Sequence, residues 1–310
     1  MFGFSRPQSI AFLVMLALVV VAPYVLYPVF LMKVLCFALF ACAFNLLVGY
    51  VGLLSFGHAA YFGLGAYVTA YAAKAWHLSP ELAVVLGGLT GAALGVVFGW
   101  LAIRRQGIYF AMITLALAQM VYFFCVQAPF TGGEDGIQNV PRGHLFGLIS
   151  LNNDMAAYWT VAVVFILVFV LIHRIVHSPF GQVLKAIREN EPRATSLGYR
   201  TDDYKLLAFI LSAGIAGLAG GVKALVFGIA TLTDVHFMMS GEVVLMTLLG
   251  GMGTIFGPVL GALMSISMEN YLAEFGAWVS VTQGVVFVVV VLAFRRGVIG
   301  ELAAKLKVSL

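Results

Sequence analysis

Charged residues are scarce in this chain. Only 10% of its 310 residues are Asp, Glu, Lys or Arg, whereas 62% are hydrophobic, and the mean hydropathy is +1.04. The surface of a soluble domain of this length would need far more charge. The composition therefore excludes a soluble protein and indicates an integral membrane protein.

Patterns that carry chemistry are also missing. Cys36, Cys42 and Cys125 lie in apolar segments without metal-type spacing, so we expect them to pack as small apolar side chains. His173 and His177 are one helical turn apart but have no third ligand nearby, and we predict no metal site. The sequence has no G-x-x-x-x-G-K-[ST] loop and no nucleophile with a general base, so we expect neither ATP hydrolysis by that route nor an enzyme. The basic residues form no single stripe, which argues against nucleic acid.

Nine apolar segments approach the roughly 20 residues that a helix needs to cross a bilayer. They lie near residues 10–30, 33–50, 55–75, 82–103, 107–127, 157–176, 204–229, 241–270 and 277–294. We interpret the first as an uncleaved span, because it is long for a signal peptide and another apolar run follows at once. Basic residues cluster between spans and predict the cytoplasmic side, in the following groups: Arg6, Arg104–Arg105, residues 174–205, and Arg295–Arg296 with Lys305 and Lys307.

Nine spans cannot place both termini in the cytoplasm. Residues 241–270 are interrupted by GGMG at 250–253 and by Gly257-Pro258, so two helices would restore an even count. Residues 49–57 form a second glycine-rich break. We therefore predict an all-α, polytopic integral membrane protein with 8–10 transmembrane helices, Gly-interrupted segments and a single domain over residues 1–310. Such paired breaks are typical of a transport path, although glycines also permit close helix packing.

The longest charged segment between spans, residues 177–203, has an internal pattern of its own. Ser178-Pro179 is a helix start. The residues Phe180, Val183, Leu184 and Ile187 then form one apolar stripe, opposed by Gln182, Lys185, Arg188 and Glu189. A second short helix is expected from Pro192 to Gly198. The pattern predicts two amphipathic helices at the membrane surface, and a plain solvated loop is the alternative.

Five sequence blocks occur in the order of a known family. They are GLLSFGHAAYFGLGAY at 52–67, GIYFAMITL at 107–115, TGGEDG at 131–136, SPFGQVLKAIRENE at 178–191 and LGGMGTIFGPVLG at 249–261. Together they resemble the LivM-type permease of branched-chain amino acid ABC transporters over about residues 35–300.

This resemblance implies a permease subunit of a bacterial inner-membrane importer. Its expected partners are a second, related permease, two cytoplasmic ATPases that bind ATP and Mg²⁺, a periplasmic substrate-binding protein and membrane lipid. No cofactor is expected in this chain itself. Residues 177–203 would be the cytoplasmic coupling loop, and residues 128–156 a periplasmic loop for which a docking surface or a structured turn is more plausible than a calcium site.

The candidate residues fall into two groups. Those for ATPase coupling, which follow from the resemblance, are Phe180, Lys185, Arg188, Glu189, Glu191 and Gly198. Glu191 lies one residue early for the Glu-Ala-Ala signature of ABC permeases, which weakens its equivalence. Those for the substrate path are Asn45, Ser55, His58, Tyr61, Thr114 and Glu242. Buried polar residues of this kind also stabilise helix packing, which is the alternative for Asn45, Ser55, His58 and Thr114.

Glu242 and Lys223 carry a second functional hypothesis. Glu242 follows an expected outward loop at residues 231–240, and Lys223 lies in a long apolar helix. Lys223 is expected to extend toward the outer interface, and pairing with an intramembrane partner such as Glu242 is the alternative. Such a pair would suit a gradient-driven secondary transporter. Within the family, urea, short amides or aromatic acids are alternative substrates, and a structural membrane subunit is a third class.

Overall fold

The chain folds into a bundle of α-helices. The computed structural model describes residues 6–147, 149–272, 278–294 and 296–306; Arg295 and Lys307, two of the residues predicted to be cytoplasmic, lie outside these ranges. The helices are α1 (Arg6–Val25), α2 (Pro28–Tyr50), α3 (His58–Lys74), α4 (Pro80–Ala102), α5 (Ile108–Gln127), α6 (Asp154–His177), α7 (Pro179–Glu189), α8 (Glu191–Ser196), α9 (Thr201–Phe227), α10 (Leu232–Val235), α11 (Phe237–Gly250), α12 (Gly257–Leu272), α13 (Trp278–Ala293) and α14 (Gly297–Leu306).

Six of the described helices, α1, α2, α4, α5, α6 and α9, are long and apolar enough to cross a membrane. The helices α3, α11, α12 and α13 are shorter, with 14 to 17 residues. Helices suit the bilayer because each satisfies its own backbone hydrogen bonds. The predicted all-α, polytopic membrane architecture is confirmed.

The bundle has two distinct ends. One carries α7 and α8, and we call it the α7 end. The other carries residues 128–153 with the two-residue strands β1 (His144–Leu145) and β2 (Ile149–Ser150), which pair antiparallel, and we call it the hairpin end. Tyr158 of α6 donates a hydrogen bond to the carbonyl of Val19, and Phe169 stacks on Phe12. Because α1 and α6 are therefore antiparallel, α1 begins at the α7 end.

The described part of the chain also finishes its last span at the α7 end. A Cβ added to Gly297, at the start of α14, would lie 2.4 Å from the Cα of Gly251, which follows α11. Among the described residues, the bundle is formed by α1 to α6, α9, and α11 to α13. Residues 241–270 are divided between the two helices α11 and α12, as the glycine interruption predicts.

Glycines allow the central helices α3, α4 and α9 to touch. A Cβ added to Gly65 of α3 would lie 2.4 Å from the carbonyl oxygen of Gly217 in α9. Similarly, a Cβ on Gly91 of α4 would lie 2.5 Å from the carbonyl oxygen of Ala213. Small residues permit such close backbone approach between membrane helices. These glycines therefore have the helix-packing role that the sequence analysis gave as the alternative to a transport path.

Two helix breaks lie beside each other near the α7 end. The first, residues 51–57, separates α2 from α3, and the second, residues 251–256, separates α11 from α12. Gly52, Gly251 and Gly253 adopt positive φ angles of 84°, 121° and 76°, which favour glycine. A Cβ on Gly49 would lie 2.7 Å from the backbone nitrogen of Gly253, so the ends of the two breaks are in contact.

Candidate functional site: the junction of the surface helices with the two breaks

The surface helices α7 and α8 form as the sequence predicts. The Ser178 hydroxyl accepts a hydrogen bond from the Gly181 amide and caps α7. Leu184 and Ile187 of the apolar stripe are buried. Asn190 caps α8 through the Arg193 amide, and Gly198, with φ of 90°, follows the end of that helix. The segment is thus a structured pair of helices and not a plain loop.

Arg188 of α7 reaches into the two breaks. Its guanidinium donates a hydrogen bond to the carbonyl oxygen of Gly49 at the end of α2. Its aliphatic part lies against Gly52, since a Cβ on that glycine would be 3.2 Å from Cγ of Arg188. A Cβ on Gly253 would likewise be 3.0 Å from Nη1. One side chain of the surface helix therefore contacts both irregular segments of the membrane domain.

Asn45 completes this junction from within the bundle. Its side-chain nitrogen donates to the carbonyl oxygen of Thr254 at 2.8 Å, and its side-chain oxygen accepts from the amide of Gly253 at 2.9 Å. Thr254 in turn accepts a hydrogen bond from the Gly257 amide and donates to the carbonyl of Gly251. The polar backbone of the second break is thereby satisfied inside the membrane domain.

Ser55 and Thr114 perform the same task for the first break. The Ser55 hydroxyl accepts from the Gly57 amide at 3.1 Å. The Thr114 hydroxyl accepts from the Phe56 amide at 3.2 Å and donates to the Ala111 carbonyl. Both side chains are fully buried. Of the predicted path residues, Asn45, Ser55 and Thr114 are thus brought to the breaks, where they hold irregular backbone in place.

His58 and Tyr61 lie in an aromatic core. Nε2 of His58 is 2.9 Å from the hydroxyl of Ser212, which donates to the carbonyl of Ala43. Because that hydroxyl proton is already used, the His58 Nε2 carries the proton between them. The rings of Phe44, Tyr61 and Phe209 surround His58. Both His58 and Tyr61 are fully buried, so in this conformation they form packing contacts between α2, α3 and α9.

The other predicted coupling residues differ in accessibility. Phe180 stacks on Tyr204 of α9, and the ammonium of Lys185 lies over the Tyr50 ring, 5.8 Å from its centre. Glu189 is exposed and its side chain has no hydrogen bond or ion pair with a described residue. Phe180 and Lys185 therefore fix α7 to the bundle, whereas Glu189 remains on its free surface.

The Glu191 carboxylate contacts three other side chains of the chain. Its carboxylate forms an ion pair with Lys205, whose side chain is only 2% exposed, and accepts hydrogen bonds from Thr201 and Gln106. These contacts join α8 to α9 and to the turn before α5. The sequence pattern missed Lys205 because the pairing spans two helices. These contacts fit a structural role for Glu191, which fixes α8 to the rest of the bundle.

Lys223 has an acidic partner within the bundle, as one of the two alternatives expected, but the partner is Asp234 and not Glu242, and the expected extension to the outer interface is wrong. Its ammonium lies 2.7 and 2.9 Å from the two carboxylate oxygens of Asp234, which is buried, and does not pair with Glu242. Asp234 belongs to α10, within the expected outward loop at residues 231–240. That segment instead folds back against α3, where a Cβ on Gly63 would lie 2.7 Å from the Cα of Val235. The sequence T-L-T-D at 231–234, a capping box, was the available signal.

A cavity of about 710 Å³ lies elsewhere, between α4, α6 and α9 beneath the β1–β2 hairpin. Its walls are apolar apart from Glu81, Arg142 and Thr160, and Arg142 already pairs with Asp154. None of the predicted path residues lines it. It therefore offers little to hold the charges of a polar substrate. Within the described residues, no group of three His, Cys, Asp or Glu side chains could hold a metal ion.

Comparison with known proteins agrees with this architecture. Residues 26–294 match the family described as "Branched-chain amino acid transport system / permease component". The chain belongs to this permease family. The match includes both helix breaks and the surface helices, so the Arg188 junction lies wholly within the family region. The permease is accordingly a multi-pass inner-membrane protein.

Individual relatives support the same assignment. The permease is 28% identical over 86% of its length to the high-affinity branched-chain amino acid transport system permease protein LivM of Salmonella typhimurium, of which it covers 68%. The Escherichia coli LivM is 27% identical with the same coverage. The autoinducer 2 import system permease protein LsrC of Salmonella typhi is 29% identical over 61% of this chain and 53% of its own length. No solved structure matches.

Proposed function

We propose that this chain is the permease subunit of an ATP-driven importer of branched-chain and other hydrophobic amino acids. The family match and the LivM relatives support the substrate class. In this proposal the α7 end faces the cytoplasm and residues 128–156 face the periplasm, because the basic groups of the sequence lie at the α7 end. Both termini are then cytoplasmic.

The contact of Arg188 with both breaks carries the mechanistic part of the proposal. A cytoplasmic ATPase pair that closes on ATP would press on the exposed face of α7 and α8, including Glu189. Phe180 and Lys185 would make the segment move as a unit, and Arg188 would transmit that movement to Gly49 and Gly253. The irregular segments absorb backbone changes more readily than the helices. The breaks would thereby change between inward-open and outward-open states.

The proposed assembly contains this chain, a second related permease, two ATPases that bind ATP and Mg²⁺, and a periplasmic binding protein. Substrate affinity resides mainly in the binding protein, because tight binding inside the path would slow release. This chain acts as a transport subunit and contributes no catalytic residue. The LsrC relatives belong to an import system named for another small molecule, which makes a different small substrate the alternative.

Purification of the tagged chain from native membranes in mild detergent tests the composition of the assembly. We expect a second permease and ATPases to accompany it, with ATP hydrolysis in the purified sample. Recovery of the chain without an ATPase, together with uptake in vesicles lacking ATP, would overturn the proposal and favour a gradient-driven transporter. Lys223 and Glu242 would not form the carrier pair of such a transporter, because Lys223 is bound to Asp234.

A further inference from the structure

Glu242 lies at the middle level of the bundle. In the first turn of α11, the Ser240 hydroxyl accepts a hydrogen bond at 2.9 Å from the amide of Ala59, near the start of α3. The neighbouring His58 is bonded to Ser212, the twelfth residue of the 27-residue helix α9. The start of α11 is therefore level with the centre of a membrane-spanning helix, and Glu242 follows two residues later.

The Glu242 side chain lies on the outside of the chain at this level. It is exposed, on the same helix face as the exposed Met238 one turn earlier. Its carboxylate forms no ion pair or hydrogen bond with a described residue. An exposed carboxylate at the centre of a lipid bilayer is energetically unfavourable, and such groups face water or protein instead.

Two further charges surround Glu242. Lys33 of α2 and Glu269 of α12 form an ion pair at 2.9 Å, with side chains 33% and 48% exposed. Gly261 of α12 packs against the backbone carbonyl of Met246 in α11, and the two helices are antiparallel. Glu242, one turn before Met246, is therefore level with the turn of α12 that precedes Glu269. We call Lys33, Glu242 and Glu269 the three-charge cluster; it has two carboxylates and one ammonium, hence one negative charge in excess. Ser265, one turn before Glu269 on α12, is buried with a hydroxyl that has no partner among the described residues.

These observations distinguish the face of α2, α11 and α12 from a lipid-facing surface. Lys33 neutralises one carboxylate and leaves the other without a counter-ion. A water-filled path beside this face would keep the three side chains hydrated. An uncompensated carboxylate in such a path attracts a positive group, and every amino-acid substrate carries one in its α-ammonium.

We infer that the three-charge cluster lines the water-filled substrate path and that the Glu242 carboxylate accepts hydrogen bonds from the α-ammonium group of the amino acid. The inference rests on the proposed function, since it names a binding position within that transporter. Lys33 limits the net charge to one, which makes the site attractive to an ammonium group without trapping it. The site binds the α-ammonium group of the substrate. Other parts of the path contact the side chain of the substrate.

Thiol labelling in the assembled complex tests the first half of this inference. We would replace Glu242→Cys and, as a matched control at an exposed apolar residue near the middle of α4, Leu89→Cys. The parent protein reports the background, because its three native cysteines are buried. A membrane-impermeant, cationic thiosulfonate reagent should label the Glu242→Cys variant about tenfold faster than the Leu89→Cys variant.

The charge of the reagent tests the second half. In the Glu242→Cys variant, Lys33 and Glu269 leave no net charge in the cluster, so the ratio of the labelling rates of the cationic reagent and its anionic analogue should be close to the ratio for a free thiol in solution. Replacing Glu269→Gln in the same background should lower that ratio several-fold, because it removes the remaining carboxylate from the cluster. Equal ratios with and without Glu269 would contradict an ammonium-attracting site.

Uptake measurements complete the test. Glu242→Gln should lower ATP-dependent leucine uptake by about tenfold or more, with unchanged recovery of the partner subunits. Glu242→Asp should retain part of the uptake. Wild-type uptake by Glu242→Gln, or no labelling of the Glu242→Cys variant in a complex that transports leucine, would overturn the inference and leave the proposed function intact. Loss of the second permease from Glu242→Gln would also overturn it and assign the cluster to a subunit contact.

Discussion

The guanidinium of Arg188 donates a hydrogen bond to the carbonyl oxygen of Gly49, 139 positions earlier in the chain. This bond joins the surface helix α7 to the point where α2 ends and the first helix break begins. The same guanidinium lies beside Gly253 in the second break. In the proposed mechanism, movement of α7 would reach both irregular segments through this one side chain.

Replacing Arg188→Ala should uncouple ATP hydrolysis from transport. A hydrogen bond from a charged group contributes about 1.5–3 kcal/mol, so its loss should reduce ATP-dependent uptake by roughly 10- to 150-fold. Membrane abundance and recovery of the partners should change little, because the guanidinium is at the edge of the bundle. Arg105→Ala, at an exposed position of the turn between α4 and α5, is the matched control. Loss of Arg188→Ala protein from the membrane would instead assign Arg188 to folding.

Replacing Asn45→Ala should destabilise the membrane domain. It removes the partners of the Gly253 amide and the Thr254 carbonyl, and each unsatisfied backbone group costs about 1–3 kcal/mol. We expect a lower thermal unfolding midpoint in detergent and less protein in the membrane. Asn270→Ala, at an exposed position of α12, should have the wild-type midpoint. An unchanged midpoint for Asn45→Ala with lost uptake would identify Asn45 as a substrate contact.

The ion pair between Lys223 and Asp234 should behave as a structural unit. Either Lys223→Met or Asp234→Asn leaves one partly or fully buried charge unpaired, which costs about 3–5 kcal/mol. The double variant removes both charges and should recover much of the membrane abundance lost by either single variant. Thermal unfolding of the four proteins measures the coupling. Additive losses would show that the two residues act independently.

Glu191 and Glu189 should give opposite results despite their proximity. Glu191→Ala leaves the buried ammonium of Lys205 without its carboxylate and should lower membrane abundance. Glu189→Gln alters only the free surface of α7 and should leave abundance unchanged while it weakens the contact with the ATPase. Recovery of the ATPase from detergent at increasing salt concentration measures that contact. Normal membrane abundance of the Glu191→Ala variant would contradict this structural role of Glu191.

Local sequence signals were sufficient for much of the fold. The apolar runs, Ser178-Pro179 and the glycine clusters at 49–57 and 250–253 each act over a few residues, so the helices and both breaks could be predicted. Long-range pairing could not. Arg188 forms a hydrogen bond with Gly49, which lies far earlier in the chain. Asn45 forms a hydrogen bond with Thr254, 209 positions later, because α2 packs against α11 and α12. Periodicity contains no information about such partners.

The charged residues show the same limit. Lys223 and Glu242 were the conspicuous charges in apolar segments, and a pair between them was a natural hypothesis. The folding of α10 against α3 brings Asp234 to Lys223 and leaves Glu242 on the outer face with Lys33 and Glu269. The sequence could identify Glu242 as unusual, but only the packing of three helices reveals its neighbours.

Uptake by the purified assembly in liposomes tests the central claim most directly. The complex of this chain with its co-purifying permease and ATPases would be reconstituted in liposomes. ATP and Mg²⁺ would be supplied on the side of the liposome membrane where the ATPases lie. Radiolabelled leucine and the binding protein would be added on the opposite side. The account predicts leucine accumulation that requires ATP and is lost in the Arg188→Ala complex. Accumulation without ATP, or ATP hydrolysis with no leucine movement, would contradict it.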